Sequence, residues 1–398
     1  MVFVKMRSVL PVVLLTFFSG GILYKLSVHS PLEETTTYMS LPNPVLIDHD
    51  KPNSIANCTP SAPYLPGPFF HPARDTDTAE VHTLAQKHAP TCRPQTPLFI
   101  PFASNACLLQ QTVLSYIAEG WPASQIIVLD NTGASRENSH GLNDPHHHTF
   151  LNYTLLRHMY GVNVRQSPVR LTFAQLQNLL LELARAAKWD DFYVSHQDVV
   201  VRSTLDAGAS RPLYHNLLHE YFATKREFSE NPSQWAFCFF HYDWLSHVNV
   251  LAADRIGPWD VLIPWYPSDC DYYGRARLAG LSIFDYYVGE FHDVAQCISD
   301  PERLLFLAEG GQEYRDVEKL LRDLANAKSR NKKGRNTWQG QQHGGISDDF
   351  GPRFFEVLNA GRKSYRMKWG TTQCDVASQQ PGLYSWVKTR VAKMLSWL

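Results

Sequence analysis

The sequence predicts an α/β protein with a mainly parallel central sheet flanked by helices. Short apolar runs alternate with helical stripes from residue 97 to about residue 200, which is the signature of βαβ units. Each apolar run stops at polar residues, as strands do when they end at a ligand crevice. The composition supports a real core, with 44% hydrophobic and 19% charged residues in 398. The formal net charge of -1 provides no field that would hold the chain on nucleic acid.

Pro97 to Phe102 is the first expected strand, and Pro101 and Asn105 lie at its polar end. Cys107 to Gly120 puts Leu109, Val113, Tyr116 and Ile117 on one helical stripe, ended by Gly120-Trp121-Pro122. Ile126 to Leu129 is a second buried strand that stops at Asp130-Asn131. Val162 to Val164 is a weak third. Thr172 and Gln175 form an expected capping box, opening a helix with Phe173, Leu176, Leu179, Leu180 and Leu183 on one face. Phe192 to Val194 runs as a strand into His196-Gln197-Asp198. The crevice rule for parallel sheets then gathers Asn105, Asp130, Asn131, His196, Gln197 and Asp198 at one edge. Further on, Asp269 and Asp271 begin an expected helix with Arg275 and Arg277 in its second turn. From Pro301 to Lys328 the chain is helical and charged. A basic run of Lys328, Arg330, Lys332, Lys333 and Arg335 reads as a solvated loop. A Gly- and Gln-rich loop spans Gly334 to Gly345, and a last helix has Trp386, Val387, Val391, Met394 and Leu395 on one stripe.

The N-terminus sets the expected location. Lys5 and Arg7 precede an uncharged apolar stretch, so residues 1–7 are expected as a cytosolic tail and 8–26 as an uncleaved signal anchor. Residues 27–93, rich in Pro, Thr, Ser and Asn, read as a stem. Residues 94–300 form the expected catalytic domain and 301–398 a helical extension. Sequons at Asn57 and Asn152 agree with a single-pass type II protein of the Golgi or ER membrane, its main domain luminal. Seven cysteines show no metal spacing; Cys58 and Cys92 are candidates for pairing within the stem.

A carboxylate at a helix N-terminus is favoured as an anion and can act as a base, which singles out Asp269. Asp198 and His292 are hard-cation ligand types near strand ends and form a candidate pair for Mn or Mg. Residues Pro97 to about Asp293 resemble the inverting GT-A glycosyltransferases of the family-2 type, and an ascomycete-type branch in particular. That family carries Gly-Glu-Asp-x-Asp-x-x-x-Arg-x-Arg-x-x-Gly, matched here by Pro267, Ser268, Asp269, Cys270, Asp271, Arg275, Arg277 and Gly280.

The resemblance implies a Rossmann-like GT-A fold and transfer of a sugar from a nucleotide-diphosphate donor to a hydroxyl of a glycan or glycoconjugate, with a divalent cation. It gives Asp269 the role of base. Pro101, Asn105, Asp130, Asn131, Asn178, His196 and Gln197 are expected on the nucleotide sugar, and Asp198 and His292 on the metal. Trp244, Trp265, Tyr266 and Asp271 are expected on the acceptor, since a sugar's C–H face packs on flat rings. The family's Asp-x-Asp metal motif is matched by His196-Gln197-Asp198, and two departures stand out: His196 replaces the first Asp of that motif, and Ser268 replaces the Glu beside the base. They leave open a degenerate domain that binds nucleotide or glycan without turnover. A nucleotidyltransferase would need a Gly-rich phosphate loop, and Phe102 to Asn105 contains no glycine.

Overall fold

The computed structural model describes residues 96–167, 169–203, 212–307, 310–330 and 350–374. The expected tail, anchor and stem, the Asn57 sequon, Cys58, Cys92, the Gly- and Gln-rich loop and the 386–395 stripe lie outside them. Among the described residues no helix is long and apolar enough to cross a membrane.

The first half of the sheet follows the sequence pattern closely. Strand β1 (Leu98–Phe102) is followed by helix α1 (Ala106–Ala118) and strand β2 (Ile126–Asp130). Short helix α2 (Ser135–Ser139) precedes β3 (Asn163–Gln166), and α3 (Phe173–Ala186) leads into β4 (Asp191–Ser195). The capping box forms: Thr172 Oγ1 accepts from Gln175 N–H, and Gln175 Oε1 accepts from Thr172 N–H. After β5 (Val199–Arg202) come α4 (Leu213–Glu227), the hairpin β6 (Trp235–Phe240) and β7 (Leu245–Asn249), and α5 (Val250–Ile256). Helix α6 (Ser268–Leu278), β8 (Ser282–Tyr286), β9 (Glu290–Asp293), α7 (Pro301–Leu304), α8 (Gln312–Arg330) and α9 (Phe350–Trp369) complete the described chain.

The central sheet has the order β3-β2-β1-β4-β7-β6-β8. Four of its six pairings are parallel; only β4–β7 and β7–β6 are antiparallel. The result is a mixed α/β architecture with a mostly parallel sheet and flanking helices. Alternation along the strands buries both faces. Leu98, Ile100, Phe102, Val128 and Tyr193 pack with α1 and α4, while Phe99, Ile127, Leu129, Phe192 and Val194 pack with α3, α5 and α6.

Topology also fixes where the hairpin turn goes. Because β7 runs antiparallel to β4, Ser195 lies opposite Leu245. The 241–244 turn therefore sits at the same sheet edge as His196. Strands β5 and β9 form a separate antiparallel pair. Helix α8 covers it: Val317 and Leu321 pack with Val200, Val294, Leu108 and Leu114.

Candidate active site

Asp269 opens α6 with one carboxylate oxygen in contact with the backbone N–H of Cys270. The other, Oδ1, is buried without a hydrogen-bond partner, as is the hydroxyl of neighbouring Ser268. Buried polar atoms are rarely left unmet, and these two adjacent ones lie at a helix start, where backbone N–H groups are also unpaired. Burial raises the pKa of Asp269 to about 6, helped by the charge of Asp243 and opposed by His196. Burial likewise raises Asp243, a nearly buried residue that accepts from Tyr273 OH at 3.3 Å and also feels His196. His196, Asp243 and Tyr273 line a small cleft between the β4-β7-β6 face and helices α3 and α6.

Asp243 was not among the sequence candidates. It follows the buried run Trp235 to Phe240 at a strand end, the same signal that singled out Asp198. Its loop is strained: His241 and Tyr242 have φ of 55° and 62°. Positive φ in bulky non-glycine residues persists only where surrounding structure enforces it, often at functional sites.

The other expected contacts divide sharply. Asp130 is wholly buried and spends its carboxylate inside the protein: Thr132 N and Oγ1 donate to Oδ1 at 3.0 and 2.6 Å, and Asn138 Nδ2 and Tyr153 OH to Oδ2 at 3.0 Å. Asn131 latches Leu171, donating from Nδ2 to its carbonyl and accepting its N–H on Oδ1. Asn178 clasps the backbone of Trp259 in the same two-way fashion, at 3.0 and 2.8 Å. Gln197 braces the β1–α1 loop by accepting from Ala103 N–H and donating to the Ser104 carbonyl. Asn105 caps α1 from a left-handed conformation and Pro101 sits in β1. In this structure, then, Asp130, Asn131, Asn178 and Gln197 shape the crevice wall, and their polar atoms are committed to it.

Asp271 is also committed, contrary to its expected acceptor role. It is 1% exposed, accepts from Arg275 Nε at 3.0 Å and Trp369 Nε1 at 2.8 Å, and pairs with Lys368 at 2.8 Å. A Cys270–Cys374 disulfide joins α6 to the segment just after α9. Trp265 packs edge-on against Phe354 at 5.3 Å, Trp244 lies tilted against His241 at 4.7 Å, and Tyr266, three residues before Asp269, is well exposed. Tyr266 is the most exposed of these rings.

The expected cation pair does not assemble. Asp198 pairs with Lys328 at 2.7 Å, and Lys328 also pairs with Asp293. Successive strand residues point to opposite faces, so His292 is turned away from the face that Asp293 presents to Lys328. Burial lowers His292 to about 4, and its charged surroundings are Glu290, Arg322, Arg202 and His241. Among the described residues no group of three or more His, Cys, Asp or Glu side chains is arranged to hold a metal ion. Lys328, expected in a solvated basic run, is instead 5% exposed.

No family model matches the chain, and no curated protein matches it in sequence. Among solved structures, the mannosyltransferase PcManGT from Pyrobaculum calidifontis, in complex with GDP-Man and Mn2+, is similar at 12% identity with a TM-score of 0.32. The match covers 80% of this chain and 88% of that one. A superposition that loose assigns neither fold nor activity, and the chemistry rests on the residues themselves.

Proposed function

We propose that the chain is an inverting glycosyltransferase of the GT-A type, moving a sugar from a nucleotide-diphosphate donor to a hydroxyl acceptor. The observation that carries this reading is Asp269: a half-buried carboxylate with a buried, unpartnered oxygen and a pKa raised to about 6, feeling the charges of Asp243 and His196, which line a small cleft. A general base works best with a pKa near the operating pH. In the proposed step Asp269 Oδ1 takes the acceptor hydroxyl proton. The acceptor oxygen bonds to the anomeric carbon as the bond to the diphosphate oxygen breaks, and that electron pair leaves with the diphosphate. His196 and Asp243 border the reacting position. Tyr266 offers a flat face for the acceptor sugar.

No step passes through a metal, because the residues expected to hold one do not converge. A luminal, membrane-anchored setting remains the proposed location. It is supported by the disulfides Cys107–Cys297 and Cys270–Cys374, since such bonds persist in oxidising compartments.

Asp269→Asn tests the assignment. Transfer is expected to be lost while a nucleoside diphosphate still raises the melting temperature as in wild type, because the ligand acts on the native state by mass action. Equal loss of transfer and binding sinks the base assignment. Nucleotide binding by the wild type with neither transfer nor donor hydrolysis identifies a binding module instead.

A further inference from the structure

Lys328 lies in the last turn of α8, and its side chain is 3% exposed. Its ammonium donates to Asp198 Oδ2 at 2.7 Å, to Asp293 Oδ1 at 2.5 Å and to the backbone carbonyl of Val294 at 3.3 Å. An ammonium has three N–H donors and no acceptor, so these three oxygens saturate it. Two carboxylates and a carbonyl are also the donor set that a hard divalent cation takes.

The oxygens are held on rigid backbone. Val294 N–H donates to the Asp198 carbonyl at 2.9 Å, continuing the β5–β9 ladder. The lysine is equally fixed, because Val317 and Leu321 seat α8 on that ladder and the Tyr314 ring lies 4.2 Å from the Arg202 guanidinium. A buried charge is tolerated only when paired and hydrogen-bonded. Two carboxylates converging in a buried place need a cation, and the fold supplies one covalently.

We infer that Lys328 is the resident cation of the Asp198–Asp293 site, so that the protein holds this site closed to divalent metal. An ammonium and a dication cannot share the same three oxygens, and displacing the lysine would bury its charge unpaired. Exclusion of metal stands on this geometry alone. Its consequence, nucleotide-sugar binding without a divalent ion, rests on the transferase reading above.

Mn2+ titration of the chelator-stripped full-length protein, followed by the paramagnetic signal of the free ion, tests the inference. Wild type is expected to show no saturable binding up to millimolar Mn2+. Lys328→Ala is expected to bind one equivalent, at least roughly tenfold more tightly, the scale on which site composition changes metal affinity. Adding Asp198→Asn is expected to abolish that binding. One equivalent bound by wild type and lost in Asp198→Asn overturns the inference, as does a folded Lys328→Ala protein with no gain in affinity. If circular dichroism shows that Lys328→Ala does not fold, the wild-type titration decides by itself. Failure of the transferase reading shows elsewhere, as the absence of any melting shift with nucleoside diphosphates, and leaves the Mn2+ result unchanged.

Discussion

The burial that suits Asp269 to its proposed role comes at a cost to the fold. Its pKa in the folded protein, about 6, exceeds the unfolded value of about 3.9. The folded state therefore holds the proton more tightly, and ionised Asp269 destabilises the protein above about pH 6, a cost absent below about pH 4. Asp269→Asn is expected to raise stability at neutral pH by about 1–3 kcal/mol while transfer is lost, checked by chemical denaturation beside the assay. The same value sets the pH profile, since a base must be ionised to accept a proton. The rate is expected to climb as pH rises through about 6. Asp243→Asn removes the neighbouring charge that helps raise Asp269, so the acidic limb is expected to move to lower pH. An unmoved limb would mean that Asp269 is not the titrating base. The sequence singled out Asp269 but not its altered pKa, because desolvation comes from residues distant along the chain.

Helix α6 shows how an element acquires a role that its own residues do not disclose. Asp271 looks like a second working carboxylate one turn into a helix, but Trp369 and Lys368, nearly a hundred residues away, take its oxygens. Arg275 ties the same carboxylate to the carbonyls of Ile256 and Pro258, clamping the loop before the site onto α6. Asp271→Ala is expected to cost about 3 kcal/mol in a denaturation curve, because it leaves buried partners uncompensated. A loss well under about 1 kcal/mol would show the cluster to be solvated. Helix α9 reaches this position through Gly361, where a Cβ would lie 2.9 Å from Pro264 Cδ, part of a ring that cannot swing aside. Gly361→Ala is therefore expected to push α9 from the site loop and cost roughly 1–3 kcal/mol of stability. The sequence reading placed α9 only within a helical extension, 301–398, and gave it no part in the site, because its meaning lies in what it docks against.

At the scale of the molecule, charge and covalent links hold distant chain segments in place. Cys107–Cys297 and Cys270–Cys374 close loops with sequence separations of 190 and 104. Loop-closure entropy of that size corresponds to roughly 5 kcal/mol each, so reduction is expected to lower the melting temperature by many degrees. An unchanged melting point after verified reduction would show that these bonds do not constrain the unfolded chain. Away from the crevice, at the start of β4, Asp191 accepts from His247 at 3.0 Å and Thr96 at 3.2 Å and pairs with Lys225. Burial would raise Asp191, but the His247 and Lys225 partners overcome it and hold the acid at about 2. Because that value lies below the unfolded one, this stabilisation is complete above about pH 4 and is lost as pH falls through about 2.

The period of apolar residues fixed strands β1, β2 and β4, the capping box of α3 and the start of α6, because each depends on neighbours within a few positions. That local logic also put His196 at the crevice edge, since strand ends in a parallel sheet share an edge, whereas Asp269 was singled out by its place at a helix start. Only the tertiary structure decided which polar groups stay available. It brought in Asp243 through the antiparallel turn, spent Asp130, Asn178 and Asp271 on the framework, and set Lys328 on the carboxylate expected to hold a metal. Hydrogen-bond capacity is consumed by partners far along the chain, and no reading of local spacing can show when a side chain is already used.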